Sequence, residues 1–391
     1  MKNFLLQISI LTLLTGCFND GLKKFEAING AIAEVKNRYA PDKRIAVFDV
    51  KATMHKDRVV LSGETDQQEA LDALKEKLAA YNLENEVLSL PDESLKGFVY
   101  GIVNNSVSNI RSQPRHSSEL ATQATLGTEL KVLKKEGEWY LVQTPDRYIS
   151  WIDHGGLVVM DDTNYDVWLQ SEKVIFMEPA GSVFDIPDLE GEVVSDVVMG
   201  CLLKLVGEAY GFYEVQYPDG RLGFVPTGHA LKYSEWLAQL NQGRELLVEN
   251  ALKLKGLPYL WGGTSSKAVD CSGFTKTLYF MNGFIIPRDA SQQVNEGMAV
   301  DEGMAFQGLE VGDLLFFGKP ATDSTRQKTT HVGLWIGDGK FIHASRNVRI
   351  SSVQPNTPLY DSANVNRYLG SKRYLNHLTE GIIDLKAKTV M

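Results

Sequence analysis

Between residues 67 and 80, apolar side chains recur three and four positions apart, at Leu71, Leu74 and Leu78. That spacing lines one face of a helix, so the segment predicts an amphipathic helix. Ahead of it, residues 45–50 and 59–62 predict strands. Residues 20–95 therefore predict a small α+β domain, and no chemistry is visible in it. The pattern then turns to alternation. Trp139-Tyr140-Leu141-Val142-Gln143-Thr144-Pro145-Asp146 is answered by Phe212-Tyr213-Glu214-Val215-Gln216-Tyr217-Pro218-Asp219, an offset of 212 − 139 = 73 that runs without a gap to Trp151-Ile152 and Phe224-Val225. Each copy predicts a strand, a Pro-Asp turn and a second strand. Arg111-Ser112-Gln113-Pro114 and Phe184-Asp185-Ile186-Pro187 mark their opening strands. Two such units, at 98–160 and 168–232, predict two small β-barrels.

From Trp236 the helical period returns, and residues 238–378 predict a third kind of domain. Leu247, Ala251 and Leu254 share one side of a helix over 244–255, and Gly256-Leu257-Pro258-Tyr259 breaks it. Asp270 is placed to cap a second helix that buries Phe274, Leu278 and Met281 and ends at Asn282-Gly283. A buried strand over 311–317 and a polar loop over 319–330 follow. Then His331 to Ile336, the turn Gly337-Asp338-Gly339 and Lys340 to Ala344 predict a β-hairpin. Side chains alternate along a strand, so Val332, Leu334 and Ile336 share one face and His331, Gly333 and Trp335 the other. A two-residue loop alone would put His343 on the apolar face. A third loop residue, or one bulge, puts both histidines together and leaves Val332, Leu334, Ile336, Ile342 and Ala344 as one apolar face. Core patterning favours that register, in which His331 and His343 are diagonal neighbours.

The first residues are not part of a fold. Lys2, the apolar run 4–14 and Thr15-Gly16-Cys17 have the layout of a secretory signal, too short to span a bilayer. Leu14-Thr15-Gly16-Cys17 resembles a bacterial lipobox. That resemblance implies cleavage before Cys17 and a lipid on it, with plain secretion as the alternative. The 391 residues are too many for one core, and the 43% apolar and 23% charged content is that of a folded soluble protein. A net charge of −9 without a Lys/Arg cluster argues against nucleic acid as a partner.

Of the chain's three cysteines, Cys201 and Cys271 remain. Export would allow them to pair, but Gly200-Cys201-Leu202-Leu203 reads as a buried strand in which Cys201 acts as a small hydrophobe. Cys271 falls in the first turn of its helix, where N–H groups and the dipole favour a thiolate, the nucleophilic form. Cys271 as nucleophile, His331 as base and acid, and His343 orienting His331 make a complete set for amide cleavage. No spacing suggests zinc, and no cofactor is called for.

The alternating, aromatic-rich units resemble bacterial SH3-like domains, which end in elements like Ser150-Trp151-Ile152 and Gly223-Phe224-Val225. Tyr259-Leu260-Trp261-Gly262-Gly263, Asp270-Cys271-Ser272-Gly273-Phe274, Gly312-Asp313-Leu314-Leu315-Phe316-Phe317, His331-Val332-Gly333 and Phe341-Ile342-His343-Ala344 together resemble the NlpC-type cell-wall cysteine peptidases. That resemblance, spanning about 240–375, implies a papain-like α+β fold and cleavage of peptidoglycan stem peptides between γ-D-Glu and the diamino acid. It also implies that Tyr259 supports the oxyanion. With two SH3-like domains in front, the chain is similar to the γ-D-glutamyl-L-diamino acid endopeptidases, which implies substrates with a free N-terminal L-Ala. Glu119 and Tyr148, on the first β-unit, would then meet the substrate amine, and Trp261, Asp270, Ser272, Asp289 and Ser291 would line the rest. Asp289-Ala290-Ser291 departs from the group's pattern at the alanine. The implied product of this architecture is a lipid-anchored, periplasm-facing peptidase. Alternatives are an endopeptidase on intact wall, a lipid amidase or acyltransferase, and a non-catalytic wall-binding protein.

Overall fold

A computed structural model describes residues 22–55, 58–301 and 303–388. Cys17 and the leader expected around it lie outside the described residues. The chain divides into two compact units, residues 22–96 and the rest.

The first unit is α+β. A helix over 22–39 precedes the strand Phe48–His55, which pairs antiparallel with Arg58–Thr65. The helix Gln68–Lys77 then carries the chain across to Asn82–Ser89, which pairs parallel with Arg58–Thr65. The leucine period seen in the sequence is its buried face: Leu71 and Leu74, with Leu78 just past its end, pack with Ile28, Val35 and Leu61. The second strand extends the expected 59–62 at both ends, whereas the first begins only at Phe48, because Ile45 closes a turn by donating its N–H to the Asp42 carbonyl, and runs on to His55.

In the second unit the repeat is complete. Its first sheet runs, in spatial order, Leu157–Met160, Tyr100–Val103, Glu129–Glu136, Trp139–Gln143, Ile149–Asp153, Val107–Arg111 and Leu120–Thr125. The second sheet has the same order of strands, each starting 73 residues later: Tyr100 answers to Lys173, Leu120 to Val193, Leu157 to Ala230. The irregularities repeat too. The bulge between Val132 and Lys134 returns between Leu205 and Gly207, and that between Ile110 and Arg111 returns between Val183 and Phe184. We refer to these as the first and second β-modules.

The remaining residues build a six-stranded sheet in the order Met298–Val300, Tyr368–Arg373, Leu314–Lys319, Lys328–Gly337, Lys340–Ser345, Asn347–Ser352. The helix Cys271–Met281 lies on one face, burying Phe274, Leu278 and Met281 with Val332, Leu334, Ile342 and Ala344. The other face holds a smaller cluster of Leu315, Phe317, Trp335, Phe341 and Tyr368. The strand leading to His331 starts at Lys328, inside the stretch expected to be loop. Cys201 and Cys271 are both unpaired and buried, and Cys201 sits in the core of the second β-module.

Candidate active site

The hairpin that carries the histidines solves the register problem with two devices. Asp338 and Gly339 form a two-residue turn, both with positive φ (51° and 69°), the geometry such a tight hairpin requires. A bulge between Trp335 and Gly337 then shifts the register by one. Ile342 faces Leu334, so the apolar faces agree and the histidines fall on the opposite one. Their rings meet, with His331 Nε2 2.7 Å from His343 Nδ1. The ladder between the two strands runs from Leu334 and Ile342 to the turn and stops short of the histidines.

Cys271 starts its helix, as the capping pattern predicts. Asp270 is the N-cap and accepts from the Gly273 N–H at 2.7 Å. The thiol is only 7% exposed. Burial, helped by the Asp270 charge, pushes it up to about 12, while the N–H groups of Val332 and Ser272 and the Arg288 guanidinium pull the other way. The helix start and the burial thus act on the thiol in opposite directions. Burial also holds His331 well below the ordinary imidazole range, with the His343 charge acting in the same direction. The Val332 N–H places the sulfur beside the residue that follows His331.

Tyr259 is near enough for the Cys271 and Asp270 charges to add to burial in raising its phenol, so it stays a protonated donor. Its neighbour Trp261 is 63% exposed, and its indole Nε1 donates to Glu119 Oε1 of the first β-module at 2.6 Å. Gly262 follows with φ 81°, and a Cβ there would lie 2.2 Å from the Leu120 carbonyl oxygen, so only glycine lets the module come this close. The Gly262 N–H donates to Asp270 Oδ2. Glu119, Trp261, Asp270 and Cys271 are thus joined through consecutive contacts. Tyr148, half-buried on the same module, is close enough to influence Arg288.

Arg288 is the residue that sequence reasoning missed here. It is 1% exposed, the largest fully buried side chain among the described residues. Its Nη2 and Nη1 donate to Asp270 Oδ2 and Oδ1 at 2.6 and 3.1 Å, Nη1 also to Ser272 Oγ, and Nε to Thr122 Oγ1 of the first β-module at 3.0 Å. Burial works against its charge, but Asp270 outweighs that and keeps it a cation. Asp270 and Ser272 therefore have side-chain oxygens engaged inside the protein. Asp289 caps the helix Ala290–Gln293 in a capping box with Gln292, and Ser291 follows on that helix, half-buried. Among the described residues no cluster of His, Cys, Asp and Glu is arranged to hold a metal ion.

With this geometry the chain belongs to the NlpC/P60 family, whose pattern matches residues 256–367. It is a cysteine peptidase of that family. Residues 110–157 match the bacterial dipeptidyl-peptidase Sh3 domain, within the first β-module. The chain is 30% identical over 276 residues to a γ-D-glutamyl-L-lysine dipeptidyl-peptidase of Bacillus cereus, covering 66% of this chain and 77% of that protein. It is 28% identical to dipeptidyl-peptidase 6 of Lysinibacillus sphaericus, covering 65% of this chain and 92% of that one. The crystal structure of an NlpC/P60 family protein from Bacillus cereus superposes with a TM-score of 0.59 at 27% identity, covering 71% of this chain and 99% of that chain.

Proposed function

We propose that this peptidase hydrolyses the amide bond between γ-D-Glu and the diamino acid, L-Lys or diaminopimelate, in peptidoglycan stem peptides with a free N-terminal L-Ala, in recycling or turnover of wall peptides. Cys271 attacks the γ-carbonyl carbon and its proton passes to His331. The Tyr259 hydroxyl donates to the developing oxyanion. His331 returns the proton to the leaving amine, then activates water to release L-Ala-γ-D-Glu. The observation that carries the substrate reading is the Glu119–Trp261 contact at 2.6 Å. It holds an acceptor-only carboxylate against Trp261 of the peptidase domain, with Oε2 left to face an ammonium. An acetylated amine would leave that carboxylate without its counter-charge. Tyr148, Asp289 and Ser291 complete the wall, with Asp270 and Ser272 bracing it through Arg288. The repeat supports reading the second β-module as another SH3-like domain.

The chain would work as a lipoprotein facing the periplasm, anchored through Cys17. Palmitate labelling that survives Cys17→Ala would overturn the anchor. The substrate is tested by mass spectrometry of free L-Ala-γ-D-Glu-L-Lys, its diaminopimelate form, and the same peptides acetylated at the amine. Release of L-Ala-γ-D-Glu from the free peptides alone is expected. Equal cleavage of free and acetylated forms would replace this reading with endopeptidase action on intact wall.

A further inference from the structure

Behind His343 the structure continues where the sequence reading stopped. His343 Nε2 lies 3.0 Å from Ser351 Oγ, and Ser351 Oγ donates to Asp361 Oδ2 at 3.3 Å. Asp361 Oδ2 itself is 3.8 Å from His343 Nε2. Ser351 is on the strand Asn347–Ser352, two positions from Arg349, which faces His343 across the ladder, so it shares the histidine face. Asp361 is the N-cap of the helix Ser362–Val365, where it accepts from the Asn364 N–H and side-chain amide at 3.1 and 2.7 Å. His343 is fully buried and Ser351 is 4% exposed.

Proton positions in this row follow from its end. A carboxylate only accepts, so the Ser351 hydroxyl points to Asp361 and its lone pair faces His343. The proton of His343 is then on Nε2, and its Nδ1 accepts from His331 Nε2–H. That leaves Nδ1 of His331 with the lone pair that must take the thiol proton. The Arg349 Nη2 lies 3.7 Å from the same Asp361 Oδ2, adding a cation beside the carboxylate. Burial opposes the Asp361 charge, but Asn364 outweighs it and holds the carboxyl below its usual range.

We infer that Ser351 and Asp361 are positioning residues of the reaction: through His343 they fix the tautomer of His331 and orient it for the imidazolium that forms on proton transfer from Cys271. This rests on His331 being the base. It gives the catalytic row a carboxylate terminus three hydrogen bonds from that histidine, the place where a triad would have it one bond away.

The test uses readouts that need no peptide substrate. Alkylation of Cys271 by iodoacetamide, followed as a function of pH by mass of the Cys271 peptide, reports proton transfer to His331. ¹⁵N-histidine NMR reports the tautomers. Asp361→Asn keeps a helix N-cap but can donate, so it allows the row to reverse. Asp361→Asn and Ser351→Ala are expected to slow alkylation at neutral pH on the order of 10–100-fold, as when the partner that fixes a functional histidine is removed. Ser351→Thr, which keeps the hydroxyl, is expected to restore wild-type alkylation and the wild-type tautomers, Nε2–H on both rings. Wild-type alkylation and tautomers in both Asp361→Asn and Ser351→Ala would overturn the inference. A wild-type protein that cleaves no stem peptide would instead overturn the substrate reading and leave these readouts intact.

Discussion

The two β-modules share strand order, bulges and even a glutamate, since Glu119 of the first answers to Glu192 of the second, 73 residues on. In both, the backbone at the glutamate carbonyl accepts from the residue seven positions earlier, Ser112 in one and Asp185 in the other. Their surroundings differ. Both glutamates are exposed, but Glu119 accepts from the Trp261 indole of the peptidase domain, whereas Glu192 has its backbone N–H on Asp185. The first module is tied to the site by Thr122, by Glu119 and by Gln123, whose carbonyl accepts from Thr264 Oγ1 at 2.8 Å. The second supports the domain from behind: Ile175 and Met199 join the core under the nucleophile helix, and Gly200 packs on Phe280. One duplicated fold thus supplies a wall of the site and a buttress. Chemistry follows from where each copy docks, not from its topology.

The largest effect should come from the link that only the first module has. Arg288→Met would leave the Asp270 carboxylate, 6% exposed, without its cation and Thr122 without its donor. Breaking a buried pair from one side costs about 3–5 kcal/mol. Denaturant unfolding of the variant should show that loss, with activity falling because the cap of the nucleophile helix is no longer held. Lys267→Met removes an ion pair to Asp196 of the second module that is about half exposed, 49% and 54%, together with a hydrogen bond to Ser106 Oγ of the first, and should still cost at most about 1 kcal/mol. Equal losses in the two variants would erase the distinction between the modules.

The elements of this molecule were legible where one period dominates. The Leu71–Leu74–Leu78 stripe, the 73-residue repeat and the apolar face of the histidine hairpin all declare themselves in the sequence. The pairing of His331 with His343 follows from keeping Val332, Leu334 and Ile342 together, and the bulge at Ile336 is the price of that choice. What stayed hidden depends on contacts distant in sequence. Nothing near Arg288 announces that its guanidinium will be shared between Asp270 and Thr122, which lies 166 residues away. Ser351 could have been found by carrying the face count one strand further. Asp361 could not, because a loop after the strand brings it back. The surroundings of Cys271 were hidden for a similar reason: the helix start is local, whereas the burial that pushes its thiol up comes from the whole domain.

Glu119→Gln should come next in size. It keeps an acceptor for the Trp261 N–H and removes the charge. A hydrogen bond to a charged group is worth about 1.5–3 kcal/mol, so kcat/KM on free L-Ala-γ-D-Glu-L-Lys should fall by roughly 10–100-fold, mostly in KM. Cleavage of the acetylated peptide should change little. Glu192→Gln, at the matching position of the second module, should leave both substrates unaffected. Full activity of Glu119→Gln on the free amine would remove the charge-pairing role and with it the main functional difference between the copies.

The smallest and sharpest comparison is Thr122 against Ser195, again 73 residues apart. Each hydroxyl has one well-placed side-chain partner: Thr122 Oγ1 accepts from Arg288 Nε at 3.0 Å, and Ser195 Oγ lies 2.6 Å from the Tyr217 hydroxyl. Ser195→Ala should therefore cost about 0.5–1.5 kcal/mol of stability, and Thr122→Val about 1.5–3 kcal/mol because its partner is a buried cation. Their kinetics should separate. With Nε unpartnered, Arg288 can shift on Asp270, and the start of the nucleophile helix shifts with it. Thr122→Val should lower kcat a few-fold with KM nearly constant, whereas Ser195→Ala should leave kcat at the wild-type value. Parallel measurement of unfolding free energy and of kcat distinguishes the cases. If the two variants lose stability and kcat alike, the first module holds the nucleophile no more closely than the second does, and its proximity to Cys271 is packing alone.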